Sequence, residues 1–285
     1  MARKSSLILA VVLVTLLLFA LPVQAEKSAF DISVAGMGAR PLAMGKAFVA
    51  IADDTNAVFT NPAGLGLRKS WGLTTMSTQL MQKAQYKLVG ASMPTAVGNF
   101  GVGYVGVNTP AGYATTADKS SLAGAAKINY GSSVMILSYG RNLSEVFKSN
   151  SGLGRLCVGA SYKIYNSKFE GADASGTGSS IDVGLIAFPT DNLSIGASLQ
   201  NNGGQMTWDS GTTEKIPTVA KLGAGLSLIK DRLLLSGELN FAEKRPACLH
   251  GGVEYHVLRF LSVRAGLDQD AIDTSTTASN LTAGV

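Results

Sequence analysis

The chain has 285 residues and a formal net charge of +5, two units of which (Arg3 and Lys4) lie in an apolar leader, so what remains is too small and too scattered to indicate nucleic-acid binding. Hydrophobic residues make up 46% and charged ones only 15%, with a mean hydropathy of +0.22. An exported soluble protein of this size would carry more charge, whereas lipid-facing surface accounts for the balance.

The first element is Met1 to Ala25: a basic start, an apolar run from Leu7 to Leu21, and the small-residue end Val23-Gln24-Ala25. That pattern reads as a secretory signal peptide cut after Ala25. The alternative, a membrane anchor, needs about 20 apolar residues, and the run is shorter. No later stretch reaches that length without Gly, Pro or a charge, so any membrane crossing must be made by strands.

Residues 26–69 form the second element, a plug with Asp31–Leu67 at its heart. It is rich in Gly and Ala and does not alternate like a strand. Asn61-Pro62-Ala63-Gly64 predicts a short helical turn, with Asn61 as N-cap, Pro62 at the first helical position and Gly64 or Gly66 ending it. Asp53 or Asp54 is placed to cap an earlier segment, Thr55–Phe59.

From residue 70 onward the sequence alternates, with Gly, Asn, Asp, Ser and Pro clusters between segments of about ten residues. Strands are predicted at Trp71–Gln79, Tyr86–Met93, Asn99–Asn108, Ser121–Tyr130, Ser133–Arg141, Leu156–Asn166, Ser180–Phe188, Leu193–Gln200, Val219–Leu228, Leu233–Asn240, Leu249–His256 and Leu261–Asp268, with a thirteenth starting at Asn280. Short turns, Pro189–Asn192 and Lys230-Asp231, contrast with the long polar segments Thr109–Ser120, Lys168–Gly178 and Asn201–Pro217, which suggests the two faces of a membrane barrel.

Alternation also assigns faces. Leu193, Ile195, Ala197 and Leu199 oppose Ser194, Gly196, Ser198 and Gln200. Leu233, Leu235 and Leu239 likewise oppose Ser236, Glu238 and Asn240, and Val253, Tyr255 and Val257 oppose Glu254 and His256. Leu261, Val263, Ala265 and Leu267 oppose Ser262, Arg264 and Asp268. A soluble sandwich would bury the apolar faces, and a barrel in lipid would turn them outward and keep the charges in its lumen. The pattern fits either, and the leader with the low charge favours the barrel.

The plug carries a resemblance. Gly36, Gly38, Ala39, Arg40, Met44, Gly45, Ala47, Phe48, Val49, Ala50, Ala52, Asp53, Asp54, Asn61, Pro62, Ala63, Gly64 and Leu65 form a pattern that resembles the N-terminal motif of the PorV/PorQ-like outer-membrane proteins, a branch of the FadL long-chain fatty-acid transporter superfamily. Phe59 departs from it, standing where Trp or Tyr is expected, which removes a polar ring edge from the plug. The resemblance implies an all-β, transmembrane antiparallel β-barrel of the FadL type with about 14 strands, in the bacterial outer membrane, over residues 70–285. Thirteen starts and no aromatic last residue then suggest missing closing strands.

Functionally it implies a non-enzymatic protein without cofactor, metal or catalytic residues, whose partners are outer-membrane lipid and a hydrophobic ligand such as a long-chain fatty acid. Phe48, Val49, Ile51, Val58, Phe59 and Leu65 would line an apolar path or simply pack the plug. PorV-like members imply an alternative, a shuttle or scaffold that meets secretion-system proteins of a type IX-like system.

Three other patterns have simpler readings. Gly101, Gly103 and Gly106 match GxGxxG, but they sit inside an alternating run with no helix after it, so they suit room for the plug better than a dinucleotide. His250, Glu254 and His256 share a face at a spacing too long for one ion, and a lumenal pairing of Glu254 with Arg264, with Glu238 nearby, is more economical. Cys157 and Cys248 lie far apart inside strands and read as buried thiols, although an oxidising compartment permits a bridge.

Overall fold

The computed structural model describes residues 31–34, 37–80, 84–113, 127–144, 155–171, 174–243, 245–271 and 276–285. The leader, Gly36 and most of Thr109–Ser120 lie outside them. Among the described residues thirteen strands form one antiparallel sheet: β1 (Gly72–Leu80), β2 (Ala84–Thr95), β3 (Gly98–Tyr113), β4 (Lys127–Asn142), β5 (Arg155–Glu170), β6 (Ala174–Thr190) and β7 (Leu193–Trp208). It continues through the short β8 (Thr213–Lys215), then β9 (Val219–Leu228), β10 (Leu233–Ala242), β11 (Cys248–Leu258), β12 (Leu261–Ala271) and β13 (Thr277–Gly284). Each strand pairs with the next in sequence, except that β8 folds back on β7 and β9 pairs with β7. Among the described residues β1 and β13 are the edges of the ladder and do not pair with each other.

Of the strand predicted at Ser121–Tyr130, residues 121–126 lie outside the described residues, and the rest is one strand, β4, with that predicted at Ser133–Arg141, because Tyr130, Gly131 and Ser132 continue the ladder with β5. Lys168–Gly178 is not a long loop either. Lys168 pairs with Ser175 and Phe169 with Ala174, so the ladder runs nearly to the tip, of which residues 172–173 lie outside the described residues. Asn201–Pro217 likewise holds the end of β7 and all of β8. Gly-rich, polar sequence resembles loop because these strand ends have no apolar face to reveal the period.

Residues 37–69 sit inside the curl of the sheet. They form a helical turn at Ala39–Ala43, a second at Ala57–Thr60 and a 3-10 turn at Pro62–Leu67. The second begins at Ala57, later than predicted, although Asp54 Oδ1 accepts the Asn56 N–H at 2.8 Å, the bond expected of a cap on the Thr55–Phe59 segment. Gly64 and Gly66 lie within the third turn rather than ending it. Both are there because other backbone passes too close for a side chain: a Cβ on Gly64 would lie 1.7 Å from the Ala52 carbonyl oxygen.

Every strand from β1 to β13 except β8 and β10 presents a glycine or small side chain to this segment. A Cβ on Gly72 of β1 would meet Thr55, one on Gly159 of β5 the Pro62 backbone, one on Gly223 of β9 Val49, and one on Gly284 of β13 Ala43. The sheet therefore encircles the plug. Interior side chains of a barrel this size must be small where a plug is threaded through it, and glycine lets backbone meet backbone.

The faces fall as alternation predicted. Ser194, Gly196, Ser198 and Gln200 point inward and are buried, as are Glu238 and Glu254. Val102, Met135, Leu137, Ile181, Val183 and Ile195 point outward and are exposed. A sandwich would show the reverse, so the apolar exterior is lipid-facing surface.

Candidate functional site

The interface between plug and wall is the candidate site, because every buried charge among the described residues converges on it. Short helical turns leave carbonyls without partners, and side chains of the wall supply them. Gln200 Nε2 donates to the Thr60 carbonyl at 2.8 Å, and Asn99 Nδ2 donates to the carbonyls of Leu65 and Arg68. At the other end Thr282 Oγ1 donates to the Ala43 carbonyl at 3.1 Å.

Asn61 is the N-cap that the sequence predicts, accepting the Ala63 N–H at 3.1 Å. It also does something the sequence did not reveal. Its Nδ2 donates to the Val49 carbonyl at 2.8 Å and lies 3.3 Å from those of Leu185 and Ala197 on the wall. One side chain thus ties two plug segments to β6 and β7. Asn61→Ala is expected to cost about 2 kcal/mol, a cap plus a buried carbonyl left unpaired, and to speed proteolysis of residues 37–69 in the assembled barrel. Asn61→Asp, which keeps the cap but sets a buried carboxylate against three carbonyl oxygens, should cost more than the alanine.

Four charge clusters fasten the plug. In the first, Lys163 of β5 is wholly buried and its ammonium meets Asp182 at 2.9 Å, Asn201 Oδ1 at 3.0 Å and Ser33 Oγ at 3.1 Å, with Asp31 at 3.6 Å. Burial alone would raise the Asp31 carboxyl, but Lys163 and the Ser33 N–H outweigh it and hold it below the usual carboxylate range. Asn201 completes the cluster, donating from Nδ2 to Asp31 at 2.8 Å and from its backbone N–H to Asp182 at 2.7 Å. None of these residues is marked by the sequence motif. The only signal for Lys163 and Asp182 is a lone charge on the polar face of an alternating strand.

The second centres on Glu238, whose Oε2 accepts the N–H groups of Phe48 and Val49 at 2.8 and 2.7 Å while Lys221 stands 3.7 Å from Oε1. Glu238 was expected beside the Glu254–Arg264 pair. Register places it opposite His250 instead, two inward positions along the ladder from Leu234, the partner of Glu254.

The third explains the motif. Arg40 reaches Asp54 at 3.0 Å, Asp53 at closer range, and Glu254 of β11 at 2.8 Å, with its guanidinium 5.1 Å from the Phe48 ring centroid. Arg264 bonds the same Glu254, as the sequence anticipated. So Arg40, Asp53 and Asp54, distant in the motif, form one bridge that carries the plug onto β11 and β12.

In the fourth, Lys46 pairs with Asp268 and Asp270, each at 2.9 Å. His250 lies 3.1 Å from both Asp268 and the Gly45 carbonyl through Nδ1, and its Nε2 is 2.9 Å from Asn240 Nδ2. Nδ1 thus faces two oxygen acceptors, one on the wall and one on the plug. His250, Glu254 and His256 do not converge on one point: His250 belongs to this cluster, whereas His256 Nε2 is 3.3 Å from Glu254 in the third.

The apolar plug residues are closed in. Phe48, Val49, Ile51, Val58, Phe59 and Leu65 are all at most 5% exposed. Val58 and Phe59 press on Gly101, Gly103 and Gly90, and Val49 and Ile51 on Gly196, Gly223 and Gly225. Two glycines of the GxGxxG run are thus room for the plug, whereas Gly106 faces outward beneath Tyr104. Gly38, Gly45, Pro62, Ala63 and Gly64 are buried or tightly packed in the same way. Cys157 and Cys248 are buried and unbridged.

A curled antiparallel sheet with an apolar exterior, a charged interior and an internal plug defines a membrane β-barrel. No protein-family model matches the chain, and no curated protein does. Among solved structures it is similar to three engineered variants of a porin from Rhodopseudomonas blastica, at 10, 9 and 10% identity, over 74% of this chain and 87% of the porin, with a TM-score of 0.29 in each case. A likeness that loose carries no argument about the site.

Proposed function

We propose that the chain is a bacterial outer-membrane barrel of the FadL/PorV-like kind that binds a hydrophobic small molecule and passes it when the plug shifts. The plug's composition carries the reading. Its contact with β2, β3 and β9 is a strip of Val, Ile and Phe on bare glycine, a surface on which an apolar ligand can replace plug contacts at no cost in buried charge. A passage for ions would present charges to an open bore, and here the interior charges are paired against the plug.

The purified chain is expected to partition with outer membranes, migrate differently before and after boiling, show little conductance in planar bilayers and bind a long-chain fatty acid, with Phe48→Asp weakening binding. Large, stable conductance steps without lipid binding would reject the reading.

A second reading, a secretion scaffold, has its own observation. Strands β3 to β7 run 16 or 17 residues, whereas about 9–11 suffice to cross a bilayer, so this arc of the wall projects beyond the membrane on the side of the β5–β6 and β7–β8 tips. If the projection is a docking platform, trimming the β7–β8 hairpin tip should abolish export of a client protein and leave fatty-acid binding intact.

A further inference from the structure

The outer wall of β2 to β5 contains a hollow of about 450 Å³ that faces away from the plug. Register explains it. Two successive outward rows cross these strands, Gln85–Asn108–Gly131–Lys168 and Lys87–Gly106–Ser133–Asn166, each with one glycine in the middle. Among the described residues nothing lies within 4 Å of where a Gly131 Cβ would be, and Tyr104 lies over Gly106, its hydroxyl 2.9 Å from the missing Cβ. The floor is therefore backbone, and the rim is polar.

Charge on the rim is of one sign. Lys87 and Lys168 line the hollow from opposite sides, three strand spacings or roughly 15 Å apart at the backbone. Both are exposed, and among the described residues neither makes an ion pair. Glu170, the acidic side chain next along that face of β5, lies outside the lining.

Depth on the wall identifies the occupant. The next outward row, Val89–Tyr104–Met135–Ile164, is apolar and 43–56% exposed, and Ala91–Val102–Leu137–Tyr162 follows it. Counting from the tight β2–β3 turn at Ala96-Val97, the polar rows fall about nine to eleven residues along β3, where a bilayer span ends. A group held there has its head among lysines and hydroxyls and its tails against the apolar rows below.

We propose that this hollow binds the phosphate-bearing headgroup of a lipid in the leaflet at the long-strand end, with the two lysines pairing the phosphate charge, Tyr104 and Ser133 hydroxyls and the Asn108 and Asn166 amides contacting its oxygens, and the acyl chains lying on Met135, Ile164 and their neighbours. The inference is independent of what, if anything, crosses the barrel.

The test is retention of lipid by the purified full chain in detergent, read by native mass spectrometry with phosphatidic acid and phosphatidylcholine as probes. The wild type should keep one phosphatidic acid against dilution, and Lys87→Gln with Lys168→Gln should weaken retention roughly 30-fold. Gly131→Leu, which fills the hollow and leaves both charges, should do the same, whereas Lys87→Arg with Lys168→Arg should retain the lipid and Lys230→Gln, in a turn at the other end, should behave as wild type. Equal retention by the double Gln variant, or by Gly131→Leu, overturns the site. Retention of phosphatidylcholine equal to that of phosphatidic acid overturns the role of the lysines. Displacement by excess inorganic phosphate would make it a free-phosphate site and overturn the lipid assignment.

Discussion

Lys163→Met is expected to release the front of the plug and to destabilise its docking by about 3–5 kcal/mol, the cost of leaving buried carboxylates without their cation. Asp31 and Asp182 are both buried, and Lys163 is the cation that stands between them. Without it Asn201, which binds both carboxylates, cannot satisfy two charges. The triple variant Lys163→Met, Asp31→Asn, Asp182→Asn should recover much of the loss, since it removes the stranded charges together with the cation. Protease access to residues 31–69 in the assembled barrel measures both. Acid should imitate the single variant in part. Because the Asp31 carboxyl is lowered in the folded chain, its contribution is present above the ordinary carboxylate range and is lost as pH falls through the lowered value.

Gly159→Val is expected to unseat the plug from the middle of the wall. A Cβ there would lie 2.3 Å from the Pro62 carbonyl carbon and 2.5 Å from the Ala63 nitrogen, and backbone cannot swing aside as the end of a side chain does. Overpacking of this kind costs about 1–3 kcal/mol and more where nothing yields. Gly140 and Gly184, its register neighbours, touch the same turn, so the clash cannot be relieved by sliding the plug sideways. The expected readout is a barrel that still assembles but conducts ions far better than the wild type in planar bilayers. Gly237→Ala is the matched control: it lies on the outward face of β10 with nothing among the described residues within 4 Å of its missing Cβ, and it should leave conductance unchanged. Equal, low conductance in both would show that the plug does not seal the lumen.

Much of this was legible in the chain alone. Period-two alternation located nearly every strand and assigned its faces, because in a barrel wall each residue meets either lipid or lumen and the side-chain period is two. The pairing of Glu254 with Arg264 followed from the same rule, and Asn61 was recognisable as a cap because capping is local, set by residues next to each other. What the sequence by itself determined was therefore whatever depends on near neighbours or on strict periodicity. Tertiary structure decided the rest. That Lys168–Gly178 is strand depends on a partner strand and not on its own composition. Asn61's second grip on β6 and β7, the meeting of Lys163 with Asp31 across 132 residues of chain, and Glu238 holding the Phe48 and Val49 amides are contacts between segments whose approach is set by sheet register and by the close fit of glycine to the plug. Neither register nor fit leaves a local trace, since any small residue at those positions satisfies the alternation and only the packed wall shows which ones touch.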